Sequence, residues 1–216
     1  MLGEHLLLTA LPGVLAVFLA MRRGLGNTAL LLAVALAGSG AAATLAFWAF
    51  YADPVVGKTV AFLVVLGSLP VIVLCWRRGL DRAVLRTLVA PVALWVLGSA
   101  FVLYFGFLHG GTDEPLRTAA TRFSHQLPGD NAIPAFFADW FYAHGHGGTP
   151  PLFGDWLASD RPPLQIGYAM AQRPYGWDGN NLHYEVLAVV VQQLWIFGMW
   201  AVLCAARVRP FARGSC

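Results

Sequence analysis

Charge is scarce in this chain and missing altogether from its apolar stretches. Asp, Glu, Lys and Arg make up 12% of 216 residues while 58% are hydrophobic, and the stretches 6–21, 28–51, 60–76, 88–108 and 186–206 contain none of the four. Ionisable groups at membrane depth mark proton relays and ion paths, so their absence argues against either through this chain alone. Cysteine is equally sparse. Cys75 and Cys204 fall near one set of helix ends and Cys216 is terminal, which leaves no pair for a disulfide on the opposite, oxidising side. Gly214-Ser-Cys216 carries no residues after its cysteine, so prenylation is not expected there. No Gly-x-Ser-x-Gly, Walker or dinucleotide pattern occurs, which removes support for nucleophile-elbow hydrolysis, ATP binding and nucleotide-cofactor chemistry. The formal charge of +3 and pI near 9.0 come from arginines at helix ends, with no basic face for nucleic acid.

The apolar stretches set the frame. A helix needs about 20 apolar residues to cross a bilayer, and inside lipid every backbone amide must be satisfied within the segment, so all five are expected to be helical spans. The first is the weakest, being short and holding Pro12 and Gly13. Arg22, Arg23, Arg77, Arg78, Arg82, Arg86, Arg207, Arg209 and Arg213 fall on one side. Lys58, Arg117, Arg122, Arg161 and Arg173 fall on the other, four of them in one long loop. Cytoplasmic loops retain Lys and Arg, so the expected topology is a multi-pass plasma-membrane protein with its N-terminus and long loop outside and its C-terminus cytoplasmic. Glu4 and His5 stand where a cleaved signal would carry basic residues, so the first segment is expected to be retained. Gly38-Ser-Gly-Ala-Ala-Ala43 offers small residues for close helix packing, and Gln192 and Gln193 are expected to hydrogen-bond a neighbouring helix.

Most of the acids lie in the polar segment between the fourth and fifth spans. Asp113, Glu114, Asp130, Asp139, Asp155, Asp160, Asp178 and Glu185 face four arginines there. That sign suits a metal or a cationic partner, and solvated surface gives it equally. Spacing is more informative. Ile133, Phe136, Phe137, Trp140 and Phe141 recur at i, i+3, i+4, i+7 and i+8, one apolar helical face. Asp130 or Asn131 can cap this helix and Pro134 fits its first turn. Such a helix is expected along the outer membrane interface. Ser159-Asp-Arg-Pro-Pro-Leu164 repeats the device, with Ser159 or Asp160 as cap and prolines opening a short helix to about Gln172. His109, His125, His144, His146 and His183 share the external side, but His144-Gly-His146 in a glycine-rich stretch lacks the fixed geometry of a metal site.

An apolar span, an external Asp leading into an aromatic amphipathic helix, a Gly-Asp-Trp, an acidic-basic-Pro-Pro-Leu element and another span follow one another here. That order resembles the first external loop of GT-C membrane glycosyltransferases of the aminoarabinose transferase and protein O-mannosyltransferase type. The likeness covers roughly the second half of the chain. It implies transfer of a sugar from a polyprenyl-phosphate carrier to an acceptor on the outer membrane face. Asp130 takes the place of the catalytic carboxylate, a general base for the acceptor hydroxyl. Arg161, in the place of the family's lysine, either pairs with the departing phosphate or is an interface arginine. Asp160 either positions acceptor or metal or caps its helix. Asn131 stands where the family has Glu. Some members use a divalent cation, so Mg or Mn at Asp130 is compatible with the likeness, although no cofactor is required by it. The family has many more spans, which implies that this chain is part of a split or truncated enzyme with a further transmembrane subunit, inactive alone.

The expectation is therefore an all-α polytopic membrane bundle. It has four spans in 1–108, an external loop with interfacial helices in 109–185, and a fifth span with a cytoplasmic tail in 186–216. Its expected function is GT-C-like glycosyl transfer using a polyprenyl-phosphate-linked sugar within the lipid membrane. The alternative is a noncatalytic membrane scaffold or accessory subunit that grips a partner through its aromatic loop.

Overall fold

The computed structural model describes residues 1–77, 79, 81–110, 133–148, 152, 154–160, 163–176 and 181–206, without the side chains at 107–110, 160 and 181. Those residues form an all-α bundle with no strand among them. Its helices are α1 (Leu2–Arg22), α2 (Thr28–Ala52), α3 (Pro54–Arg77), α4 (Arg82–Gly110), α5 (Ile133–His144), α6 (Pro163–Gln172), α7 (Asn181–Gln192) and α8 (Trp195–Ala205). Five helices are long and apolar enough to cross a membrane, the fifth being α7 and α8 taken together as Leu182–Ala205.

Local chemistry fixes where these helices start. The Asn27 side chain accepts from the Leu30 N–H at 3.1 Å, capping α2. Asp53 accepts from the Val55 and Val56 N–H groups at 2.7 and 3.0 Å at the start of α3, and Asp81 accepts from the Ala83 N–H at 2.8 Å at the start of α4. Pro12, Pro70 and Pro91 lie inside α1, α3 and α4 without ending them. Neighbouring helices re-satisfy freed backbone groups in membrane proteins, which makes such prolines tolerable. The first span, the doubtful one by sequence, thus runs unbroken for 21 residues.

The helices extend past the charge-free stretches at the end of the bundle remote from Arg22 and Arg82. Glu4 and His5 join α1, Lys58 joins α3, and His183 and Glu185 join α7. His183 and Glu185, expected in the loop, are buried helix residues. The fifth span departs from expectation in a second way. It starts at Asn181 and breaks at Gln193–Leu194, where Leu194, Ile196 and Phe197 donate three residues back, to Val191, Gln193 and Leu194. No proline causes this break. The Gln193 amide lies against Gly98 of α4, its Oε1 3.2 Å from where a Cβ would stand, and the Trp95 indole N–H of α4 donates to the Val190 carbonyl at 2.9 Å.

Small residues let α1 and α2 pack closely. A Cβ on Gly13 would sit 2.7 Å from the Ala35 carbonyl oxygen, and one on Gly38 would sit 2.6 Å from the Ala16 Cβ. Close backbone approach of this kind is how helices associate where surrounding lipid is as apolar as their side chains. At one end of the bundle, the α1–α2 turn lies beside the start of α4. Gly26 approaches Val84, and the Thr28 and Thr87 hydroxyls are 2.8 Å apart. Arg22, Arg23, Arg82 and Arg86 collect there, while α5 and α6 pack around the ends of α2 and α3 opposite.

Candidate functional site

At that second end, α5 and α6 pack against each other and against α2. Ile133, Phe137 and Phe141 of α5 are at most 3% exposed and share one core cluster with Ala43, Phe47 and Phe50 of α2 and Ile166 and Met170 of α6. The Phe47 and Phe141 rings meet edge to face at 5.8 Å between centroids. The 133–141 aromatic periodicity therefore marks a face turned onto protein, not one laid along lipid as expected. Phe136 and Trp140, the flank of that face, are half-buried.

Helix α6 is drawn into the bundle by Gly167, where a Cβ would fall on the Ala43 carbonyl oxygen of α2. Its polar side chains then meet partners far away in sequence. Gln172 donates from Nε2 to Thr9 Oγ1 at 2.8 Å and accepts through Oε1 from His5 Nδ1 at 2.8 Å. A neutral His5 ring that donates at Nδ1 accepts at Nε2, where His183 Nδ1 stands 3.2 Å away. The Ser39 hydroxyl donates to the Thr9 carbonyl and lies 2.8 Å from the Tyr168 hydroxyl. Burial pushes the Tyr168 phenol up, partly offset by that hydrogen bond. Gln165 of α6 donates to the Tyr184 hydroxyl at 2.7 Å. Four helices are thus tied by buried polar contacts that hold α6 in place.

These contacts yield a measurable expectation. Gln172→Leu leaves Thr9 Oγ1 and His5 Nδ1 without that partner, at about 0.6–1.7 kcal/mol per interhelical bond in membranes. Thermal unfolding of the variant in detergent is expected to show a loss of about 1–3 kcal/mol. A melting temperature equal to that of the parent chain would show that the amide holds nothing.

Beside the cluster, two cations approach one ring. Lys58 Nζ of α3 is 5.0 Å and Arg173 Cζ is 4.6 Å from the Tyr142 ring centre. Both distances are within cation–π range. Arg173 also pairs with Asp139 one turn before Tyr142. Burial raises the Tyr142 phenol and lowers Arg173. Among the described residues, Arg173 is the one of these two cations that pairs with a carboxylate. Nothing in the spacing of positions 58, 139, 142 and 173 ties them together, so this grouping is not legible in the sequence.

Of the residues expected to do chemistry, Asp130, Asn131 and Arg161 lie outside the described residues, and so does the side chain of Asp160. Asp160 closes a 3-10 turn, Ala158–Asp160, and α6 begins at Pro163 as the double proline implies. Helix α5 begins at Ile133, with Pro134 in its first turn. No known family, curated protein or solved structure matches this chain. Among the histidines, His144 stacks on Trp140 at 4.1 Å, whereas the His146 ring is hydrogen-bonded with the Tyr51 carbonyl at 3.0 Å. The two rings of His-Gly-His are thus committed to different neighbours. Among the described residues no group of three His, Cys, Asp or Glu side chains could hold a metal ion.

Arg173 opens a 3-10 turn that ends at Tyr175, whose hydroxyl donates to the Ala61 carbonyl of α3 at 3.0 Å. Burial pushes this phenol up to about 12 from an ordinary 10. A folded-state value above the unfolded one means stability that is complete below pH 10 and is lost as pH rises toward about 12. Unfolding measured across that window is expected to show this loss in the parent chain and a smaller one in Tyr175→Phe. Identical pH profiles would separate Tyr175 from alkaline unfolding.

Proposed function

We propose that this chain is a GT-C-like glycosyltransferase, or part of a split one, that moves a sugar from a polyprenyl-phosphate carrier to an acceptor on the outer face of the plasma membrane. One observation carries the reading. The segment holding Asp130 leads into α5, the segment holding Asp160 and Arg161 leads into α6, and these two helices pack on one another within a single core cluster. Two polar elements 30 positions apart thus open neighbouring helices at one end of a five-span bundle. The positive-inside bias of the arginines supports an external position for that end, with the N-terminus external and the C-terminus cytoplasmic.

In this mechanism Asp130 accepts the proton of the acceptor hydroxyl as its oxygen attacks the anomeric carbon. The bond from that carbon to the carrier phosphate breaks, and the phosphate leaves with the bonding electrons. Arg161 pairs with the departing phosphate, since a guanidinium matches its oxygens in two-pronged fashion. Lys58 and Arg173 add positive charge suited to an anionic carrier at the same end of the bundle. Asp160 and Asn131 border the site, and a Mg or Mn ion at Asp130 is compatible with it.

The test measures transfer of labelled sugar from a polyprenyl-phosphate donor in membranes holding the full chain and any companion subunit, against the same membranes with Asp130→Asn. Lost transfer at unchanged expression supports the reading. Unchanged turnover removes Asp130 from the mechanism and with it the residue on which the reading rests.

A further inference from the structure

An apolar cavity of about 310 Å³ lies between α1, α2, α4 and α8, away from the helices assigned to sugar transfer. Val17, Phe18, Leu31 and Leu85 line it toward the arginine-rich end, and Trp95 and Phe197 line it further along. Its polar neighbours Thr9 and Ser39 are already engaged in the network around Gln172. Buried water needs two to four polar partners, so a cavity of this lining stays dry. Left empty it forfeits the dispersion contacts of every wall. Val92, a wall residue exposed at 43%, marks where the cavity reaches the outside of the bundle. In a membrane-spanning bundle, that outside is hydrocarbon.

Charge at the near end selects the filler. Arg22 ends α1 one turn beyond Phe18 and Arg23 follows it as the cap, while Arg82 and Arg86 flank Leu85 at the start of α4. Among the described residues no carboxylate lies within ion-pair distance of these four arginines. Asp81, the acid beside them, already accepts from the Ala83 and Val84 N–H groups. We propose that this cavity holds an acyl chain of an anionic glycerophospholipid whose phosphate is bound by the arginines at the α1–α2 turn and the start of α4. The polyprenyl carrier of the proposed reaction presents its phosphate at the opposite end of the bundle, so the two lipids have separate sites. The phospholipid site does not depend on sugar transfer.

Native mass spectrometry of the full chain, released from nanodiscs of equal phosphatidylglycerol and phosphatidylcholine, reads the occupant directly. One phosphatidylglycerol retained at least about tenfold over phosphatidylcholine is expected, since clustered basic residues attract an anionic headgroup. Arg22→Gln, Arg23→Gln, Arg82→Gln and Arg86→Gln together should erase that preference while some lipid is still retained. Ala10→Phe, which fills the cavity wall, and Val92→Trp, which closes its mouth, should each lose the retained lipid of both kinds. Equal retention of the two lipids by the parent chain overturns the proposal and needs no variant. It is also overturned if a folded Ala10→Phe or Val92→Trp protein retains lipid as the parent does, or if added polyprenyl phosphate displaces the phospholipid.

Discussion

Asp130→Asn is expected to lower sugar transfer by about 10²- to 10⁴-fold, the range over which a positioned general base acts. The substitution is nearly isosteric, and it separates chemistry from architecture in a way that Asp130→Ala does not. Asn and Asp are equally good helix caps. If Asp130 serves only to begin α5, the Asn variant keeps both its stability and its activity. A base gives the opposite pattern, with an unchanged melting temperature and turnover reduced to near background. Single-turnover transfer, measured beside carrier binding, completes the separation, because loss of a base slows the chemical step without weakening donor affinity. Equal single-turnover rates for the two proteins would remove Asp130 from the mechanism.

The second large effect is structural. Gly167→Val should destabilise the chain at or beyond the upper end of the roughly 1–3 kcal/mol typical of overpacking. A Cβ at Gly167 would land on the Ala43 carbonyl oxygen, with the Phe47 Cβ 3.3 Å away. The obstacle is main chain of α2, which cannot swing aside as a flexible side chain would. To admit the new group α6 must lift, and Ile166, Met170 and Phe137 lose contact within the same cluster. Gly40→Ala is the matched control, since a Cβ there meets only Leu164 Cδ1 at an ordinary 3.8 Å. Denaturation in detergent should separate the two variants clearly. A Gly167→Val protein within about 0.5 kcal/mol of its parent, the spread of ordinary surface changes, would mean that α6 does not depend on this close approach.

Much of the fold was legible because membrane helices advertise themselves by length and lack of charge. The proline positions told equally well. Pro134 and Pro163 lie in the opening turns of α5 and α6, where a missing N–H costs nothing. The candidate site was legible only as short elements in order, since the pairing of α5 with α6 depends on how each docks on α2. The depth to which α7 carries His183 and Glu185 was not readable either. Both are polar residues next to an apolar run, and a boundary drawn from charge alone excludes them.

By itself the sequence determined five spans, the end of the bundle where the arginines gather, and the starts of the two short helices. It also determined which face of α5 is apolar, because the 3.6-residue period depends only on local geometry. Tertiary structure alone decided that this face meets α2 and α6 rather than lipid. Both surroundings are apolar and satisfy the same pattern, and what separates them is the room left by Gly167 and the small residues of α2. The same docking brought His5, Thr9, Gln172 and His183 into one network. Buried polar groups find partners by proximity in space, and spacing along the chain carries no record of it.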